Sequence, residues 1–257
     1  MSEVEQATWS RAYRLFRDFR VEQSDPDRFY SALASDSIAQ LRQFTSLDGA
    51  KVLDVGGGPG YFADAFADSG AWYVPVEYDH GELSARGGVS VRSVMADGAR
   101  LPFHDCSFDV VYSSNVLEHV PDRAAMVREM VRVAAPGGLV FAAYTVWFGP
   151  WGGHETSPWH FLGGMRARRR YSRVHGHEPK NRFGESMFAV TVAEGLGLAR
   201  DLPQADLVAV FPRYLPRSTW WLLRVPGVRE VATWNLALVW RRRPDAAPTS
   251  GRDATRR

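Results

Sequence analysis

The chemistry open to this sequence is concentrated in three carboxylates and a run of glycines. Residues 51–61 read K-V-L-D-V-G-G-G-P-G-Y, so Asp54 stands just ahead of Gly56, Gly57, Gly58 and Gly60. β-Branched and apolar residues run into an acid, then a bare turn, then a helical segment. Strand, glycine turn and helix is the geometry that brings backbone N–H groups close to a bound cofactor. Gly58-x-Gly60-x-x-Ala63 also fits the dinucleotide pattern G-x-G-x-x-G/A. A pyrophosphate, however, would be repelled by Asp54, whereas a cationic ligand would be attracted. Glu77 lies 17 residues after Gly60, at the end of the next apolar run. A carboxylate there can accept hydrogen bonds from two ribose hydroxyls. The third acid, Asp97, sits in M-A-D-G-A-R-L-P-F over 95–103.

These motifs, in this order, resemble the class I S-adenosylmethionine (SAM)-dependent methyltransferases, and their type 11 branch in particular. Asp54 followed by Gly56, Gly58 and Gly60 matches the branch's acid and G-x-G-x-G. Asp97, with Gly98 beside it, and Leu101-Pro102-Phe103 match its run after the third strand, which a dinucleotide enzyme has no reason to carry. The resemblance implies that Glu77 binds the cofactor ribose and Asp97 the adenine amino group. Asp79 is the alternative ribose acid. It implies that Asp54 acts on the methionyl end through water or a loop N–H. It also places Ser114 and Asn115, in S-S-N-V-L-E-H-V over 113–120, at the floor of the cofactor pocket. His119 matches a histidine common in the type 11 branch. It could be catalytic or could bond to backbone at a helix start.

Around these residues the chain alternates strand and helix, which argues a doubly wound, Rossmann-like α/β sheet. Strands are expected at 51–55, 72–76, 91–95, 108–113, 139–146, 206–211 and 234–240. The family's sheet has seven strands, with the last antiparallel and inserted beside strand five. An N-terminal helical cap covers 1–49, the methyltransferase domain 50–240, an insertion 147–186, and a disordered tail 241–257. In the cap, Trp9, Tyr13, Phe16 and Phe19 recur on one face of a helix over 8–22. Arg11, Arg14, Arg17 and Arg20 read as its solvated face.

Composition narrows the class. The chain has 257 residues, 45% hydrophobic and 23% charged, enough for a full core. A net charge of +2 is only mildly basic and does not imply nucleic acid. The base-methylating N/D-P-P-Y/F signature is absent, and Cys106 lacks a preceding proline, which argues against cytosine C5 chemistry. One cysteine excludes an internal disulfide and suits a reducing cytoplasm. The polar N-terminus lacks a signal-peptide pattern. Residues 133–153 carry no charge, but Pro136-Gly137-Gly138 and Gly149-Pro150 interrupt them, so a buried strand is expected rather than a membrane span.

Methyl transfer from a sulfonium is a direct displacement with a neutral thioether leaving. Alignment is the main requirement, and a base is needed only for a protonated acceptor. Four of the seven histidines, His154, His160, His175 and His177, lie in the insertion. His154 is the candidate base, oriented by Glu155 or another acid. A lid held by histidine–backbone bonds is the equal alternative. No metal is expected, because His175-Gly-His177 and His154-Glu155 lack ligand spacing. The basic segment 166–173 could hold an anionic acceptor. Trp220-Trp221-Leu222-Leu223, flanked by Arg217 and Arg224, could rest on a membrane surface or pack as core. The expected substrate is a small-molecule, sugar or lipid-linked acceptor, methylated at oxygen. An NAD(P)-binding oxidoreductase and a SAM-binding regulatory protein without turnover are the rival readings.

Overall fold

The apolar runs fold where their patterning places them. The computed structural model describes residues 7–19, 25–84 and 93–244. Two helices come first, α1 (Trp9–Phe19) and α2 (Pro26–Leu41). Pro26 opens α2, where a missing N–H costs nothing, and the Asp25 side chain caps the Arg28 N–H. The alternation follows as β1 (Lys51–Val55), α3 (Ala63–Asp68), β2 (Trp72–Glu77), α4 (His80–Ser84), β3 (Val94–Met95), β4 (Phe108–Ser114), α5 (Arg123–Val133) and β5 (Ala134–Thr145). The second half holds α6 (Gly164–His175), α7 (Val192–Arg200), β6 (Ala205–Pro212), α8 (Val228–Ala232) and β7 (Asn235–Arg242). Part of the expected third strand, 91–92, and part of the first helix, 20–22, lie outside the described residues. So does 245–257 of the expected tail.

The seven strands form one sheet in the order β3-β2-β1-β4-β5-β7-β6. Pairs among β1 to β5 are parallel, and β7 runs antiparallel to both of its neighbours, β5 and β6. This is the expected insertion beside strand five. The chain leaves β1 toward β2 on one side and reaches β4 on the other. The crevice between β1 and β4, at their carboxyl ends, is therefore the switch point where such sheets bind ligands. The glycine loop opens directly onto it.

Successive strand residues point to opposite faces, and both faces are covered. Leu53, Val111, Val140 and Trp240 pack with Met126 and Met130 of α5. Val52, Val110, Phe141 and Val239 pack with Phe66 of α3 and with Leu33 and Leu41 of α2. The uncharged run is accounted for by β5, whose residues 139–144 are fully buried. Among the described residues, no helix is long and apolar enough to cross a membrane.

Two expectations for the ends are corrected. Arg11 is not on a solvated face: it is buried and pairs bidentately with Asp36 at 2.6 and 2.7 Å. Arg11, Leu15 and Asp18 form the inward stripe of α1, while Trp9 and Tyr13 are exposed. Only Phe16 and Phe19 of the expected aromatic face pack, and the Arg11–Asp36 ion pair anchors the helix beside them. Residues 241 and 242, expected in the tail, belong to β7 instead. The guanidinium of Arg242 is buried in β7 and donates to the carbonyls of Val131 and Ala134 at 3.1 and 2.7 Å.

The cap and the insertion meet over the sheet edge. Phe16 and Phe19 of α1 lie 5.6 and 5.0 Å from the Trp151 ring, which in turn lies 4.9 Å from Trp234. The insertion is stapled internally by Arg168, which pairs with Glu178 at 2.5 Å and Glu185 at 2.8 Å.

Candidate active site

The glycine loop is built by backbone conformation. Gly56, Gly58 and Gly60 have φ of 82°, 53° and 83°, a left-handed region that side chains rarely adopt. Gly56 has no room besides: a Cβ there would meet Val116 Cγ2 at 2.3 Å. Gly58 and Gly60 face open space. The loop thus presents bare backbone at the switch point, in the crevice the motif requires.

Asp54 sits beneath this loop, almost fully buried, with its Oδ2 accepting from Tyr73 Oη at 2.6 Å. Burial pushes its pKa up to about 7. The Tyr73 bond pulls it down, the charge of Glu77 pushes it up and Arg213 pulls it down. Glu77 closes β2 as expected. Its Oε2 accepts from the Gly58 N–H at 3.0 Å, and its Oε1 from Tyr78 N–H at 2.8 Å. Oε1 also accepts the Asp79 N–H at 3.2 Å, so the acid is tied to the loop and to the turn after β2, and Oε2 keeps a lone pair for a ribose hydroxyl. Asp79 instead caps α4 through the N–H groups of Gly81 and Glu82, at 2.6 and 3.2 Å.

Asp97 is exposed at the end of β3 and accepts from Ala99 N–H at 2.8 Å. Gly98 lets this loop approach β1: a Cβ there would lie 3.1 Å from Val55 Cγ1. Ser114 and Asn115 leave β4 at the same edge. Asn115 is left-handed at φ 57°, and its Oδ1 accepts from Asn235 Nδ2 at 2.7 Å. Ser114 Oγ accepts from Arg213 Nη1 at 2.6 Å.

Arg213 is the residue that sequence reasoning missed. It is fully buried and also donates to Ser37 Oγ at 2.7 Å, Tyr112 Oη at 2.9 Å and Gln40 Oε1 at 3.2 Å. Burial opposes its charge, but nearby Tyr112, Tyr214 and Asp36 more than offset this and raise its pKa. It fastens α2 and the end of β6 to the floor of the crevice. Nothing in F-P-R-Y marks it, because its partners are remote in sequence.

The histidines of the insertion divide into three roles. His160 is buried, with Nε2 against the Gly149 carbonyl at 3.2 Å, and is structural. His175 and His177 are exposed at the end of α6. His154 alone meets the loop that follows β4. Its ring meets that of His119 edge-on, with centroids 5.3 Å apart. The expected partner, Glu155, turns away to accept from Asn181 Nδ2 at 2.9 Å. The acid beside His154 is Glu118, which is 1% exposed and which accepts the Thr145 N–H through Oε1 at 3.0 Å. One ligand atom each from Glu118, His119 and His154 lies within 4.8 Å of the others. His119 Nδ1 faces the Ser186 carbonyl at 2.7 Å. His154 is only partly buried as a residue, yet its Nε2 is sealed from solvent. That enclosure, followed by the nearby His119, lowers its pKa to about 4, while Glu118 pulls it back up.

The basic and aromatic surfaces are also located. Arg166, Arg169, Arg170 and Arg173 are exposed on α6, near exposed Trp159, Phe161 and Met165. Trp220 stacks on Phe211 at 4.9 Å, whereas Trp221 is exposed.

These residues fit SAM. Bare left-handed glycines would give its methionyl end backbone to lie against, a buried acid sits below them, and two further carboxylates stand at consecutive strand ends. A type 11 family model described as Methyltransferase domain matches residues 53–142. A protein of Mycolicibacterium gilvum, named an uncharacterised methyltransferase, is 53% identical over 91% of this chain and 95% of its own length. One of Mycobacteroides abscessus, named likewise, is 48% identical over 93% of this chain and 97% of its own. The fold is shared with an S-adenosylmethionine-dependent methyltransferase from Mesorhizobium loti, at 18% identity and a TM-score of 0.55. That match covers 81% of this chain and 98% of the other. The chain belongs to the class I SAM-dependent methyltransferases of the type 11 branch.

Proposed function

We propose that this methyltransferase, working in the cytoplasm, methylates an oxygen of a small-molecule, sugar or lipid-linked acceptor. One observation carries this reading: the cluster in which Glu118 and His119, from the loop after β4, meet His154 of the insertion after β5. SAM supplies an electrophilic methyl carbon whose leaving group is a neutral thioether. What remains for this chain is to hold donor and acceptor in line, exclude water and relieve a hydroxyl of its proton. The glycine loop and Glu77 hold the donor, and the insertion, packed on α1 through Trp151, covers the acceptor side. A nitrogen that keeps a proton only below about pH 4 is a weak base near neutrality. The activating unit is therefore the three-residue cluster, with His154 and His119 as members, rather than His154 alone.

The exposed Trp159, Phe161, Met165 and Trp221, near α6 and Arg217, favour an amphiphilic acceptor presented at an anionic membrane surface. The experiment is transfer of tritiated methyl from SAM into fractionated small-molecule, lipid and RNA pools. Alkali-stable label is expected in the small-molecule or lipid pool. His154→Ala is expected to lower turnover by about 100-fold or more while SAM affinity stays unchanged. Label confined to RNA, or an unimpaired variant, would overturn the reading. Binding of SAM with label in no pool would mark a regulatory binder instead.

A further inference from the structure

We propose that Glu118, His119 and His154 form a site for one divalent transition-metal cation. The role of the ion rests on the oxygen-acceptor reading above; the site itself does not.

Three observations converge on it. Glu118 is 1% exposed and only one of its oxygens is satisfied, by the Thr145 N–H; its Oε2 is sealed from solvent with no hydrogen-bond partner. A buried carboxylate oxygen without a partner is strongly disfavoured, and a cation is the partner it lacks. His154 Nε2 is likewise sealed and unpartnered. Its backbone is held in the left-handed region at φ 47°, pinned by its N–H to the Trp151 carbonyl at 2.9 Å. A non-glycine residue in that conformation is held there by its surroundings, a feature common at ligand sites. His119 Nδ1 lies 2.7 Å from the Ser186 carbonyl, an acceptor, so this nitrogen carries the proton and Nε2 keeps its lone pair. A ring N–H bonded to a backbone carbonyl is the support that metal-ligating histidines use.

The chemistry suits the ligands. Donor atoms on a shared ion sit about 3–3.5 Å apart for bonds of about 2.0–2.2 Å. The donor atoms lie within 4.8 Å of one another, so side-chain rotations that draw them together by up to about 1–2 Å complete the site. Two imidazoles and one carboxylate select zinc, iron(II), cobalt(II) or manganese(II) over calcium, which prefers an all-oxygen set. Such an ion would lower the pKa of an acceptor hydroxyl, whose proton passes to solvent. The O–C bond then forms as the C–S bond breaks. Neither His175-Gly-His177 nor His154-Glu155 forms a comparable set, since the former is exposed and Glu155 turns to Asn181.

The test uses tag-free full-length protein, stripped with chelator, dialysed, and titrated calorimetrically with zinc chloride, manganese chloride and magnesium chloride. One zinc or manganese ion per chain is expected, with a Kd of about 1 µM or tighter and weaker magnesium binding. Glu118→Gln, whose amide oxygen can still accept the Thr145 N–H, and His154→Ala should each weaken binding at least about 10-fold. SAM affinity, measured on the same preparations, reports whether each variant is folded. If one variant is not, the other decides. Zinc binding weaker than about 0.1 mM, or equal binding by a folded variant, would overturn the site. Cation binding without label in any oxygen acceptor would leave the site standing and sink the acceptor reading. Transfer to oxygen by stripped protein that binds no cation would do the reverse.

Discussion

Replacing Asp54 by asparagine should change how stability depends on pH, and the structure sets both sign and size. Asp54 is buried under the glycine loop and titrates at about 7 in the folded chain, against 3.8 for an ordinary aspartate. Its folded pKa is raised, so its contribution to stability is fully present below about pH 4 and is lost as pH rises to about 7. Across that window the folded chain keeps a proton that the unfolded chain has released, and each unit costs about 1.4 kcal/mol. Roughly three units give on the order of 4 kcal/mol, and the loss levels off above pH 7. Asp54→Asn keeps an oxygen to accept from Tyr73 Oη and removes the titration. Relative to wild type, the variant should therefore gain on the order of 4 kcal/mol between pH 4 and pH 8. The assay is urea unfolding at one-unit steps of pH, comparing midpoints at constant slope. SAM brings positive charge to the same crevice, so its binding near pH 6 should release protons from wild type and fewer from Asp54→Asn. Calorimetry in buffers of different ionisation enthalpy reads that release. Parallel stability profiles for the two proteins would refute the reasoning, because the carboxylate would then not be paying for its burial.

Two substitutions separate the remaining roles of the loop. Gly56→Ala combines a positive φ with a contact at 2.3 Å to Val116, and should cost about 2–3 kcal/mol. Gly58→Ala, facing open space, should cost about 1 kcal/mol; equal losses in denaturant midpoint would count against the close-approach argument. Glu77→Gln should weaken SAM binding by about 1.5–3 kcal/mol, or roughly 10- to 100-fold, as charge-assisted bonds to ribose become neutral ones. An unchanged Kd by calorimetry would remove Glu77 from the cofactor site.

The sequence alone determined the sheet and the placing of the carboxylates and the glycine turn at its carboxyl end. Strand 51–55, the carboxylates at strand ends and the glycine turn are read from neighbours along the chain, since β periodicity and turn chemistry are local. Even the antiparallel last strand followed from resemblance to a sheet of fixed order. The acceptor side needed the tertiary structure. Glu118 and His154 come from different loops, joined where the Phe188 N–H donates to the Glu118 carbonyl and His119 meets the Ser186 carbonyl and the His154 ring. Local adjacency pointed to Glu155 as the partner of His154, and the fold turned that side chain toward Asn181. Arg11 and Arg213 look like surface residues in the sequence. They are buried because their partners, Asp36 for one and Ser37, Tyr112 and Ser114 for the other, arrive from remote segments. A charged side chain goes inside only where such partners replace its water, and that replacement is decided by three-dimensional packing, not by the residues beside it in the chain.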